Sequence, residues 1–261
     1  MCSSDLVFLR SDRAHAKLGK VDTGAAAKAP GVKAVLTGES IAAANIKRIQ
    51  PLVAYPGKGG MKIIVPDRPA LARDRVRYVG EPVALVIADT AANALSATEL
   101  IDVDYEDLPP VIGVDVALAA GATLVHDTIP GNVCFDFDYG DEQKTAAAFA
   151  NADHVVRATM ESPRVAPTPM EPRALLAAYD TATGTYTVRC EHQGANAMRE
   201  SLAAQLGVEA AKVRIEFTDV GGAFGARTAP YPEYAVVMFA AKHVGAPVKW
   251  VSTDRKSTRL N

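Results

Sequence analysis

The run Asp219-Val220-Gly221-Gly222-Ala223-Phe224-Gly225 constrains this chain more than any other. It follows residues 213–217, where Val213, Ile215 and Phe217 alternate with Arg214 and Glu216, the period of a half-buried strand. Two adjacent glycines and a third three positions on allow positive φ and close backbone approach to a ligand. One large apolar side chain, Phe224, stands among them. A loop of this kind either makes a tight turn or offers backbone N–H groups to an oxyanion or phosphate. A dinucleotide site is disfavoured. The run lacks the GxGxxG order, no GxxxxGK occurs, and the next helix is expected only near Pro232, too late to receive a phosphate on its N-terminus.

The two ends bound what can be read between them. Residues 254–261 (DRKSTRLN) are polar and basic, without apolar period, and are similar to one reading frame of a common sequencing adapter. Residues 1–6 (MCSSDL) are similar to the other adapter of the same library. The expectation is a piece of a longer protein over residues 7–253, with both ends set aside from the fold.

Hydrophobic residues make up 49% of the 261, charged residues 22%, and the net charge is -2. This suffices for a packed core in one or two domains. The near-neutral balance argues against a nucleic-acid partner held through phosphates. No run approaches the roughly 18 apolar residues of a membrane span. A cytoplasmic location is the expectation, with a periplasmic one left open. Beyond Cys2 only Cys134 and Cys190 remain; they form no CxxC, so neither an iron–sulfur cluster nor a structural zinc site is encoded. His15, His126, His154 and His243 show no metal-ligand spacing, and no GxSxG supports a serine hydrolase.

Patterning predicts a mixed α and β chain. In the first half, residues 22–29 form a helical turn, 32–36 a strand and 50–69 a long loop rich in Gly and Pro. Residues 83–88 are a continuous apolar strand, and Asp89 or Thr90 caps a helix through Leu100. Ile101, Val103 and Tyr105 then alternate with Asp102, Asp104 and Glu106. The unit over 82–106 therefore reads as strand–helix–strand with a right-handed crossover. Its carboxylates, with Asp107, read as a solvated face rather than a hard-cation site. Residues 121–141 read as a linker.

In the second half, 146–150 is a short helix and 155–159 a strand. The stretch 163–172, with Pro163, Pro167, Pro169 and Pro172, is extended and irregular. Residues 175–180 and 186–190 form a hairpin around Thr183-Gly184. A helix over 197–206 places Met198, Leu202 and Leu206 on one face, and a last helix runs from Pro232 to a stop at Gly245 before the strand 248–251.

At this point the short motifs align with a family. Arg10-Ser11, Ala14-His15-Ala16, Pro30-Gly31-Val32, Tyr78-Val79-Gly80-Glu81-Pro82-Val83-Ala84, Val103-Asp104-Tyr105 and Leu108-Pro109 resemble the α/β hammerhead domain of the molybdenum hydroxylases, which include xanthine dehydrogenases, aldehyde oxidoreductases and aerobic carbon monoxide dehydrogenases. Met170-Glu171-Pro172-Arg173, Gln193, residues 219–225, Tyr231-Pro232-Glu233 and Pro247-Val248-Lys249-Trp250 resemble the opening of the family's molybdopterin-binding region. Each motif is short; their order and spacing carry the resemblance across residues 7–253.

The resemblance implies an α+β fold: a hammerhead domain over 7–118, a linker over 119–145, and over 146–253 the truncated first part of a molybdopterin-binding domain. It implies molybdopterin with molybdenum, as such or as its cytosine dinucleotide. It also implies 2Fe-2S and FAD on partner subunits, a small-molecule substrate, and an oligomer of heterotrimers. Gln193 falls where the family hydrogen-bonds an oxo ligand of the metal, and an amide can donate there without adding charge. Gly221, Gly222, Ala223, Phe224 and Gly225 match the cofactor loop, with Ala223 in place of a third glycine. Arg227 stands where many members have lysine. Thr228 stands where purine oxidisers carry a glutamate, which disfavours xanthine and leaves aldehydes, N-heterocycles and carbon monoxide open. No residue is expected to bind the metal directly. The family's catalytic base lies beyond Thr253, so this chain alone is expected to be inactive. The rival reading is a cofactor-free assembly module. Glu171 is expected to order a turn by pairing with Arg173, and His192 is not assigned as a ligand.

Overall fold

The computed structural model describes residues 4–50, 55–162 and 167–252. Ten strands among them form two sheets. The larger takes β1 (Ser4–Arg10), β3 (Val32–Thr37), β5 (Pro82–Ala88), β7 (Ala174–Asp180), β8 (Thr185–Cys190), β9 (Val213–Glu216) and β10 (Val248–Val251) in the order β3-β5-β1-β10-β7-β8-β9. The smaller is β4 (Arg75–Val76), β2 (Ala16–Asp22) and β6 (Asp102–Asp107), with β2 in the middle. The helices are α1 (Gly38–Ala43), α2 (Ala91–Thr98), α3 (Val114–Leu118), α4 (Glu142–Ala150), α5 (Ala195–Leu206) and α6 (Pro232–Val244).

β5 shows why the sequence folds this way. All seven of its residues are buried, because it lies between two antiparallel partners, β1 and β3, and is covered on both faces. Its alternation decides which face meets what. Ala84, Val86 and Ala88 pack with Ala94 and Ala97 of α2, small residues that let helix and sheet approach closely. Leu85 and Ile87 point into the main core. Thr90 caps α2, its side chain accepting from the Asn93 N–H.

The two halves share the larger sheet. β1 pairs in parallel with β10, Ser4 opposite Val248, and β10 pairs antiparallel with β7. Trp250 of β10 is buried, edge-on to Phe8 of β1 at 5.8 Å and near Tyr234 of α6 at 6.3 Å. Arg10 of β1 reaches Glu233 in the first turn of α6 at 2.7 Å, with both side chains mostly buried. β1 begins at Ser4, inside the segment that sequence reading set aside, and Leu6 is in the core. Residues 1–3 and 253–261 lie outside the described residues.

The expected crossover over 82–106 needs correction: β5 and β6 lie in different sheets. The parallel strand–helix–strand unit is β8–α5–β9, in which Tyr186 is opposite Val213. No strand forms over 155–159; Val155 and Val156 are exposed, and a short alternating run has no ladder without a neighbour. The helix expected over 146–150 starts earlier, at Glu142, because the Asp141 side chain caps the Lys144 N–H. The stretch expected as a linker is tied to the first half. Arg75 grips Asp127 through two bonds of 3.0 and 3.1 Å, and Ile129 is buried. Of the proline-rich stretch, 163–166 fall outside the described residues, and 167–172 contain no helix or strand.

The acidic strand β6 points Asp102, Asp104 and Glu106 to solvent. Lys17, directly across the ladder from Glu106, bonds it at 2.8 Å.

Candidate active-site loop

The glycine run leaves β9, an edge strand of the larger sheet. It is open: Phe224 is 74% exposed. Gly222 and Gly225 have φ of 100° and 86°, so glycine is required there. Ala223 is not in that region of φ; the third left-handed residue is Phe224, at 50°. A phenylalanine in this conformation stores about 1–2 kcal/mol of strain. Among the described residues, the N–H groups of Gly222, Ala223, Phe224 and Gly225 have no hydrogen-bond partner.

Beneath the loop runs a chain of charged groups. Gly221 N–H donates to Glu171 Oε2 at 2.7 Å, and Arg227 Nη1 donates to the same oxygen at 2.6 Å. Arg227 Nη2 also donates to the Glu171 carbonyl. The Arg227 side chain is 1% exposed. On its far side, Glu191 Oε1 lies 3.8 Å from Arg227 Nε, too far for a hydrogen bond. Glu191 instead accepts from the Ala174 N–H and from the Tyr234 hydroxyl. The loop is thus linked through Glu171 and Arg227 to the start of β7 and to α6.

The two carboxylates titrate in opposite directions. The bond from Arg227, helped by the Gly221 N–H, holds Glu171 below the ordinary glutamate range, although its partial burial works against this. Burial pushes Glu191 up, outweighing the Ala174 N–H and the charge of Arg227. Burial likewise pushes the Cys190 thiol up to about 12, which makes it a packing residue rather than a nucleophile.

Gln193 joins this loop from the other side. Its N–H donates to the Arg227 carbonyl at 3.0 Å, and its Oε1 accepts from the Arg227 N–H at 3.2 Å. The Thr228 hydroxyl lies 3.2 Å from the same Oε1 and 3.1 Å from Gly225 O, sharing its one proton between them. With Oε1 engaged twice, the amide NH₂ of the exposed Gln193 is the group left for a ligand. His192 is buried; its Nδ1 accepts from the Gly194 N–H at 3.0 Å and its ring meets Phe217 edge-on at 4.4 Å.

The structure therefore brings Gln193, residues 221–225 and the backbone of Arg227 together. The Arg227 side chain serves the loop from below. Glu171 pairs with Arg227 rather than with Arg173, whose guanidinium lies 3.6 Å from the centre of the Tyr231 ring. Sequence reasoning gave Glu171 the wrong partner and missed Glu191 as a support. The available signal was a single arginine just after an apolar glycine loop, which needs a carboxylate once buried.

The donor set suits a group rich in acceptor atoms. Four N–H groups without a partner among the described residues and a neutral amide NH₂ offer hydrogen bonds, and the Phe224 ring adds an exposed flat surface.

Residues 3–109 match the family model for the aldehyde oxidase and xanthine dehydrogenase a/b hammerhead domain, and residues 125–260 that for the molybdopterin cofactor-binding domain. The chain belongs to the molybdenum hydroxylase family. Among its relatives, the nicotine 6-hydroxylase large subunit of Paenarthrobacter nicotinovorans is 34% identical over 96% of this chain and 30% of its own length. The carbon monoxide dehydrogenase large chain of Hydrogenophaga pseudoflava is 33% identical over 94% and 30%. The crystal structure of quinoline 2-oxidoreductase from Pseudomonas putida 86 superposes with a TM-score of 0.86 at 31% identity, covering 97% of this chain and 31% of that one. This chain therefore has the hammerhead and molybdopterin-domain fold, and it spans about 30% of the length of the curated relatives it matches.

Proposed function

We propose that this chain is part of the molybdopterin-binding catalytic subunit of a molybdenum-dependent hydroxylase, acting on an aldehyde or N-heterocycle or oxidising carbon monoxide. The observation that carries this is the meeting of Gln193 with a loop in which the N–H groups of residues 222–225 have no partner among the described residues. The bound cofactor would supply the two-electron oxidation chemistry of the reaction. The residues of this chain would bind and orient it. Gln193 donates from its NH₂, held in that orientation by the Arg227 N–H and the Thr228 hydroxyl. The N–H groups of residues 222–225 and the exposed ring of Phe224 would hold it. Arg227 is a positioning residue: its charge holds Glu171, which holds the Gly221 N–H.

The same proposal includes the cytosine dinucleotide form of the cofactor, 2Fe-2S and FAD subunits as partners in an oligomer of heterotrimers, and a cytoplasmic location. Among the described residues no helix is long and apolar enough to cross a membrane. It also includes inactivity of the chain on its own, with the base proposed to lie in a part of the subunit outside residues 1–261.

The test has two steps. First, the purified chain is assayed for molybdenum, pterin and turnover. Second, the product of the whole gene is assayed with its partner subunits. The expectation is neither metal nor turnover in the first and both in the second. Stoichiometric molybdenum with turnover in the chain alone refutes inactivity. A whole-gene product without molybdenum or pterin refutes the cofactor and leaves a role in assembly.

A further inference from the structure

Beside the candidate loop lies a cleft of about 580 Å³, within the range of small-molecule sites. Its walls come from both halves of the chain. Ile49, Val65 and Pro66 of the long loop after α1 face Pro230 and Tyr231, which follow the glycine run. Thr228, whose hydroxyl touches Gln193, and Gly225 close the end nearest the candidate site. The cleft therefore opens onto the atoms that would hold the cofactor.

Its lining is mostly apolar and proline-rich, and Arg68 is its one charged residue among the described residues. Arg68 is exposed and makes no ion pair within 4 Å among the described residues, although its charge acts on Glu81. Its guanidinium stands 6.0 Å from the centre of the Tyr78 ring, which backs it. Arginines that only solubilise a surface stand among other charges. This one is the one described charge on the wall of an apolar cleft, and its forked guanidinium has donors to spare beyond its bond to the Tyr78 hydroxyl.

We propose that the cleft docks the substrate, and that it selects a small planar aromatic carrying a carboxylate, with the carboxylate on Arg68 and the ring between the Val65–Pro66 and Pro230–Tyr231 walls. The proposal rests on the cofactor reading above, because the cleft matters for catalysis only if the neighbouring loop holds the cofactor. The ring fits an apolar slot of this size, and a guanidinium–carboxylate pair beside low-polarity walls is stronger than in open water. Arg68 is then a specificity-determining residue that lies outside the cofactor site.

The test is equilibrium binding to the purified 261-residue chain, followed by ligand-observed NMR, with benzoate, benzamide and inorganic pyrophosphate as probes. Benzoate is expected to bind at least about tenfold more tightly than benzamide. Arg68→Gln should lower benzoate to the benzamide level and leave benzamide unchanged, while Arg68→Lys keeps part of the preference. Arg68 is exposed, so unchanged thermal unfolding of both variants is expected and checks that they fold. Equal binding of benzoate and benzamide overturns the proposal, as does benzoate binding that survives Arg68→Gln. Tighter binding of pyrophosphate than of benzoate at this cleft also overturns it, because the site would then serve anions generally. A failed carboxylate preference together with molybdenum in the whole-gene complex removes this inference alone. A carboxylate preference in the chain with no molybdenum in that complex removes the cofactor reading and leaves a binding cleft.

Discussion

The centre of the larger sheet and the glycine loop at its edge are held by different physics. β5, β1, β10 and β7 lie side by side, and the side chains on one face of them, among them Leu85, Leu6, Trp250 and Leu175, belong to one core cluster. Each fully buried aliphatic side chain there contributes about 1.5–3 kcal/mol, and many act in parallel. The loop has no such redundancy. Its one large side chain is exposed, and it is held by Glu171, Arg227 and the Gln193 bridge. Non-directional burial makes a region hard to break at one point. Directional charge-assisted bonds place a loop accurately but leave it open to single substitutions. The difference teaches that stability and site geometry should be separable by mutation in this chain.

The largest effect should come from the sheet. Trp250→Ala removes the ring that Phe8 and Tyr234 meet edge-on, at a cost of about 3–5 kcal/mol. Because β10 bridges β1 and β7, both halves should lose structure in one thermal transition, visible by circular dichroism. A first half that stays folded in this variant would break the one-sheet side of the comparison. Arg227→Met comes next. It leaves Glu191 buried without its countercharge and frees Glu171, and should lower stability by about 2–3 kcal/mol. That is less than a fully buried pair would lose, because Glu171 is partly in water. Amide signals of residues 221–225 should shift while those of β5 stay in place. Shifts spread through β5 would show that loop and core are one unit.

The sequence displayed what is local. The apolar run of β5, the face of α5 with Met198 and Leu202, and the Pro232 start of α6 can all be read within one element. What is brought together across the chain was not legible. A strand–helix–strand spacing looks the same whether or not its strands share a sheet. The unit at 82–106 therefore read as a crossover although β6 belongs to the smaller sheet, and the parallel pair β8 and β9 passed unnoticed. Residues 155–159 alternate like a strand but have no neighbour to bond. The partner of Glu171 was sought two residues away and is 56 residues away, because charge pairing follows space rather than sequence. The glycine loop was singled out from its own residues, and Gln193 from resemblance to a family. Their mutual hydrogen bonds became visible only in the structure.

Gly221→Ala sharpens the comparison with a smaller change. A Cβ on Gly221 would lie 2.5 Å from Glu171 Cβ, closer than real Cβ atoms come. The conflict is steric and local, so Glu171 must shift and the Gly221 bond must lengthen. The expected loss is about 1 kcal/mol of global stability, with a large change confined to the loop's amide signals. A loop spectrum unchanged by this methyl would mean that Glu171 does not set the loop's position.

The smallest effect is on pH. Glu171 has its folded pKa depressed below the ordinary value of 4.5, first by its bond from Arg227. The tether is therefore fully present above that value and is lost only as pH falls through the depressed pKa. Glu191, raised by burial, changes the other way: its ionisation opposes folding, and that cost develops as pH rises from the unfolded pKa to the folded one. The Gly221 amide signal, followed by NMR from pH 7 downward, should hold steady through the ordinary glutamate range and move only below it. A midpoint at or above the ordinary value would mean that Arg227 does not hold Glu171 in solution. The loop would then lose its charged tether and rest on the neutral bonds of Gln193 and Thr228 alone.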